Sequence, residues 1–146
     1  MYKEIIKLGQ LEIRFLLDEE DTDGRLTMFE FLVPPGARVP APHHHEYIDE
    51  VAYGLEGVLT FTVDGKQTEL GPGGHCFIPR GAVHHFLNAG QEPTRTLSVI
   101  TPGRIGPAYF RDMAVLLAGG KPDPAAIAQV MLRHGLIVVP ATHEAK

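Results

Sequence analysis

Apolar and polar residues alternate in short runs over most of the chain, the period of half-buried strands rather than of helices. Leu11–Leu17 and Leu26–Val33 read as two strands joined by a charged turn, 18–25, that contains Asp23-Gly24. Pro34-Pro35-Gly36 breaks the second strand. Pro40 and Pro42 keep the next stretch extended, because proline enters neither a helix interior nor a central strand ladder. Further strand-like runs follow at Glu50–Leu55, Val58–Val63, Gln67–Leu70, His75–Ile78, Val83–Leu87 and Thr94–Thr101, each followed by a turn rich in Gly, Pro or Asn. Short strands at this spacing predict an antiparallel sandwich or barrel.

The period then lengthens. Phe110, Met113, Ala114 and Leu117 fall at i, i+3, i+4 and i+7, one face of a helix ended by Gly119-Gly120. Asp123-Pro124 starts a second helix with an Asp cap and Pro at its first position; Ile127, Val130 and Met131 line one face and Gly135 stops it. Leu136–Val139 is a short apolar run before Pro140. The expected layout is one domain over 1–146, with strands at about 11–101 and a helix pair at about 107–135.

Composition narrows the partners. The 146 residues are 44% hydrophobic and 21% charged, an ordinary globular balance, and the net charge of −5 argues against nucleic acid or an anionic membrane surface. Cys76 is the one cysteine, so an internal disulfide and every multi-cysteine metal motif are excluded. There is no apolar run of the roughly 18 residues that a membrane span needs and no export signal, so a cytoplasmic setting is expected.

The departure is histidine: eight residues, six of them between His43 and His85. In the extended His43-His44-His45 segment, His43 and His45 share one face and His44 points the other way. A turn after His45 could bring Glu50 beside this pair, and the strand after Pro79-Arg80-Gly81 offers His84 to one face and His85 to the other. Imidazoles with one carboxylate suit one divalent transition metal ion, Fe, Mn, Ni, Cu or Zn, and are too nitrogen-rich for Mg or Ca.

These spacings resemble the cupin superfamily. Its second motif, G-x5-P-x-G-x2-H-x3-N, is matched by Gly73, Pro79, Gly81, His84 and Asn88. Its first, G-x5-H-x-H-x(3,4)-E-x6-G, is matched by His43, His45, Glu50 and Gly57, while Gly36 stands one residue too far upstream. The resemblance implies an all-β double-stranded β-helix, a jelly roll of six to eight strands, with His43, His45, Glu50 and His84 as metal ligands. Asn88, Gly57, Gly73 and Gly81 become turn residues, and His44 and His85 point away from the metal. The C-terminal helix pair looks like that of quercetin-dioxygenase-like small cupins.

The expected function is a metal-dependent oxygenase acting on a small aromatic or enolic molecule, with Glu50 as the catalytic proton acceptor. The alternatives are a zinc-dependent cyclase, isomerase or lyase, and a non-catalytic small-molecule-binding module. Ala52 and Gly54 share the strand face of Glu50 and suggest a roomy wall beside the metal; Phe61, Phe77 and Phe86 are candidate lining residues. A homodimer is expected, because an open jelly roll has sheet edges to cover.

Overall fold

A computed structural model describes residues 1–39 and 41–139. Pro40 and Pro140, two of the expected chain breakers, lie outside the described residues. Among the described residues, eleven strands form two antiparallel sheets. One has the spatial order β1 (Glu4–Leu8), β2 (Leu11–Leu17), β3 (Thr27–Val33), β10 (Thr94–Thr101), β5 (Asp49–Glu56), β8 (His75–Ile78). The other runs β11 (Leu136–Val138), β4 (His43–His45), β9 (His84–Leu87), β6 (Leu59–Val63), β7 (Lys66–Leu70). This is the expected all-β jelly roll, with a C-terminal helix pair, α2 (Pro107–Ala118) and α3 (Pro124–Arg133). None of the described helices is long and apolar enough to cross a membrane.

Alternation decides which side chains enter the core. Leu11, Ile13 and Phe15 of β2, Phe29, Phe31 and Val33 of β3, and Phe61 and Phe86 of the opposite sheet are all buried. The β6–β7 hairpin turns at Asp64-Gly65, both with positive φ (49° and 80°), the conformation that an Asp-Gly turn predicts. Asn88 is fully buried. Its amide donates to the carbonyls of Val33 (2.9 Å) and Glu92 (2.8 Å), and its side-chain oxygen accepts from Gly90 N (2.9 Å). It therefore holds the turn after β9 and ties it to β3.

Helix α2 begins at Gly106 with Pro at its first position and buries Tyr109, Phe110 and Met113. The Phe110 ring lies 5.7, 5.4 and 5.9 Å from those of Phe15, Phe29 and Phe31, so the helix closes one end of the barrel. Arg111 holds Glu4 of β1 on the outside.

Three elements depart from the sequence expectation. Glu4–Leu8 is a strand, burying Ile6 and Leu8 and pairing along β2. The charged turn contains a four-residue helix, α1 (Glu19–Thr22). There the Asp18 carboxylate accepts from Glu20 N (2.9 Å) and the Asp21 carboxylate accepts from Asp18 N (2.9 Å), a capping box made with aspartates. Leu136–Val138, expected only as an apolar run, pairs with β4. These short additions carry the strand number beyond the six to eight expected.

Candidate metal centre

The strand that carries two of the histidines is only three residues long. It is held on one side by β11, with Leu136 opposite His45 and Val138 opposite His43, and on the other by β9, where His43 is in register with His84. Alternation turns His43 and His45 inward and leaves His44 half-buried on the other face. His84 is buried and His85 half-buried by the same rule, although His85 still borders the cavity described below.

Three imidazoles thus converge. Their ring centroids are 4.5–5.1 Å apart, and each offers a nitrogen within 4.8 Å of the other two. Nδ1 of His43 lies 2.7 Å from the Ala41 carbonyl and Nδ1 of His84 lies 3.0 Å from that of Ala82. Donation of that N–H to a backbone carbonyl two residues upstream leaves the Nε2 lone pair free, the arrangement that metal-binding histidines use. Nδ1 of His45 is buried and has no hydrogen-bond partner among the described residues. An orphaned nitrogen facing two imidazoles with free lone pairs is a donor set that fits a transition metal ion.

Glu50 arrives from the other sheet. The chain crosses between the sheets at Glu46–Ile48, and Glu50 on β5 places Oε1 3.9 Å from His45 Nδ1 and 4.0 Å from His84 Nε2. Its neighbour Asp49 faces outward and grips Arg80, accepting from Arg80 N (2.9 Å) and from its guanidinium (3.0 Å). Gly81 N donates to the His45 carbonyl (2.8 Å). Arg80 is therefore a clamp between the Glu50 strand and the turn that leads to His84. His75 is exposed beside Tyr53, and Cys76 is half-buried opposite Ala52.

Burial sets the charges. It depresses the pKa of His43 to about 3 and of His45 to about 2, helped by the neighbouring His84, and lowers His84 as well. It raises Glu50 to about 7. At neutral pH all three imidazoles keep their lone pairs for an ion.

The four side chains face a cavity of about 40 Å³, whose remaining wall is mostly apolar, including Phe31, Phe61 and Phe86, with His85 at its border. That is room for an ion and a few water-sized ligands. Phe61 and Phe86 line it as expected, whereas Phe77 is 60% exposed on the outer face. Ala52 and Gly54 do not border it. Gly54 is small because the backbone of Gly71 lies against it, so the expected roomy wall is a close packing of chain on chain. Ile105, Tyr109, Phe110 and Leu136 complete the wall. Sequence reasoning did not name them as site residues, and only Phe110 carried a signal, as a buried position on a helix face.

Residues 29–100 match the family model of the cupin domain. The oxalate-binding protein of Thermotoga maritima is 32% identical over 93 residues, covering 63% of this chain and 76% of that protein. The chain belongs to the cupin family. Quercetin 2,3-dioxygenase of Bacillus subtilis is 32% identical over 100 residues, which are 68% of this chain but 29% of that enzyme, so the chain spans under a third of it. Among solved structures, a polyketide cyclase from Streptomyces resistomycificus shares 34% identity at a TM-score of 0.57, covering 64% of this chain and 66% of that one. As a cupin, the protein has its histidine cluster inside the matched region, while Ile105, Tyr109, Phe110 and Leu136 lie beyond it.

Proposed function

We propose that this cupin is a metal-dependent oxygenase acting on a small aromatic or enolic molecule, with His43, His45, His84 and Glu50 as the ligands of one divalent transition metal ion. The observation that carries this is a set of three neutral imidazoles facing a buried carboxylate across a cavity walled by phenylalanines. A bound ion supplies Lewis acidity toward substrate oxygens and, for Fe, Mn, Ni or Cu, a path for electrons to dioxygen. The phenylalanine walls exclude bulk water and suit an enol, or a ring once the cavity widens to admit one. Glu50, whose burial brings it near neutrality, accepts the proton of the substrate hydroxyl at its carboxylate. The test is oxygen uptake on an electrode with flavonols, acireductones and catechol-like diketones, after loading Fe, Mn, Ni or Cu in turn. Uptake with at least one pair is expected; none with any metal sinks the proposal.

The likeness to a polyketide cyclase favours a second reading, a zinc-dependent cyclase, isomerase or lyase. It predicts turnover by zinc-loaded protein under argon. Ligand-induced thermal stabilisation with no product under either regime would point instead to a binding module.

A homodimer is also proposed. On the outer face of the six-stranded sheet Met28, Val99, Val51 and Phe77 align across four strands, ending at edge strand β8 with Phe77 60% and Val51 40% exposed. Sedimentation equilibrium should give a dimer for the wild type and a monomer for Phe77→Glu; a monomeric wild type overturns it.

A further inference from the structure

The metal cavity has a neighbour. An open cleft of about 460 Å³ is bordered by Glu46, Tyr47, Arg104, Ile105, Arg133 and His134. Only one layer of residues separates the two spaces. Ile105 borders both, and it is almost fully buried. The chain passes from the cavity to the cleft between His45 and Glu46, and back from cleft to cavity between Gly135 and Leu136. The Tyr109 ring, on the cavity side, meets the His134 ring, on the cleft side, edge to face at 5.3 Å.

The cleft also carries two arginines, Arg104 and Arg133. Arg80, Arg95 and Arg111 each hold a carboxylate, whereas among the described residues Arg104 and Arg133 form no ion pair. The Arg104 guanidinium lies over Tyr47, 5.1 Å from the ring centroid. His134 is oriented by Asp112, whose Oδ2 lies 2.9 Å from its Nε2. Against these stands one acidic side chain of the cleft lining, Glu46. In a chain of net charge −5, a concavity with this balance is a local reversal of sign.

We infer that the cleft is the entrance to the metal cavity and binds the anionic end of its ligand, a carboxylate held by Arg104 and Arg133 while the rest of the molecule reaches past Ile105 toward the histidines. The inference rests on the metal-centre reading and names the substrate class: a molecule with metal-seeking oxygens at one end and a carboxylate at the other. Guanidinium groups suit that group through paired N–H donors. The cavity of about 40 Å³ is too small for a ring, so Ile105 is the side chain that must give way.

The test compares catechol with 3,4-dihydroxybenzoate, the same diol without and with a carboxylate, by calorimetry on zinc-loaded protein at low ionic strength. The carboxylate is expected to tighten binding at least tenfold. The gain should shrink as salt is added and vanish in the double variant Arg104→Gln/Arg133→Gln, with zinc stoichiometry unchanged. Ile105→Ala should tighten both probes alike. Equal affinities in the wild type, no binding of either probe, or a preference that survives in the double variant would overturn the inference. Zinc stoichiometry measured without any probe tests the metal reading separately. If no zinc binds, that reading fails, and the cleft is then judged by whether metal-free protein prefers the carboxylate probe in an arginine-dependent way.

Discussion

His84→Ala should reduce metal affinity by roughly two orders of magnitude or more while the protein stays folded. His84 is the imidazole in register with His43 and the one nearest His45 across the cavity, so its loss leaves two histidines on a single strand with only Glu50 opposite. The fold should survive, because the alanine removes one hydrogen bond, to the Ala82 carbonyl, and adds no buried polar group. Competitive titration of a chelator-buffered metal measures the loss, and unaltered affinity would remove His84 from the centre. The same titration has a defined pH dependence. His43 and His45 are already deprotonated well below neutrality, so they release no protons to an incoming ion at pH 6 to 8. Glu50, raised to about 7, must release one. Affinity should therefore climb about tenfold per pH unit up to about 7 and level off above it, and Glu50→Gln should flatten the slope.

Metal-free stability has the opposite linkage for the two kinds of group. His43 and His45 fall from 6.5 to about 3 and about 2, so the unfolded chain binds more protons over that interval and stability rises with pH through it. Glu50 rises from 4.5 to about 7, so the folded protein binds more protons there and stability falls with pH. With His84 also lowered, the histidines outnumber the glutamate and the net trend from pH 3 to 6 is upward.

Gly54→Ala should be the most damaging single methyl in the sheet. Gly54 N donates to the Gly74 carbonyl (2.8 Å) and its own carbonyl accepts from Gly73 N (2.9 Å), so the turn after β7 is laid directly on β5. A β-carbon at Gly54 would overlap the Gly71 carbonyl oxygen and come within 2.8 Å of its carbon. The obstacle is backbone fixed by two hydrogen bonds, not the end of a mobile side chain, so strand and turn must part. The expected cost is about 3 kcal/mol, a large share of the 5–15 kcal/mol typical of a domain. Gly71→Ala is the control, since its β-carbon would meet only a Val58 methyl at 3.8 Å. Urea unfolding of the pair should separate them clearly; equal midpoints would show that the turn can yield.

What the sequence disclosed and what it withheld follow from the range of the forces involved. The strands Leu11–Leu17, His75–Ile78 and Thr94–Thr101 begin and end where alternation and turn residues place them, because both signals are local. Glu4–Leu8 hid behind the adjacent pair Ile5-Ile6, which breaks alternation although only Ile6 is buried. Leu136–Val138 is a strand only because β4 needs a neighbour, and pairing across such a separation leaves no mark in three residues. The parity of His43, His44 and His45 was legible for the same local reason that the strands were. The smallness of Gly54 was misread, since a missing side chain looks alike whether it makes room for a ligand or for a backbone. Ile105, Tyr109 and Leu136 were invisible as site residues because a loop, a helix and a strand from outside the motif region bring them there.

The pairing of β11 with β4 also sets an order of events. A three-residue strand held to β9 by a single register pair has little to keep it in place alone. Until Leu136 to Val138 have left the ribosome, His43 and His45 lack the neighbour that fixes their strand, although the motif residues were all made much earlier. Assembly of the histidine cluster therefore waits on a strand made far later than the motif residues it steadies.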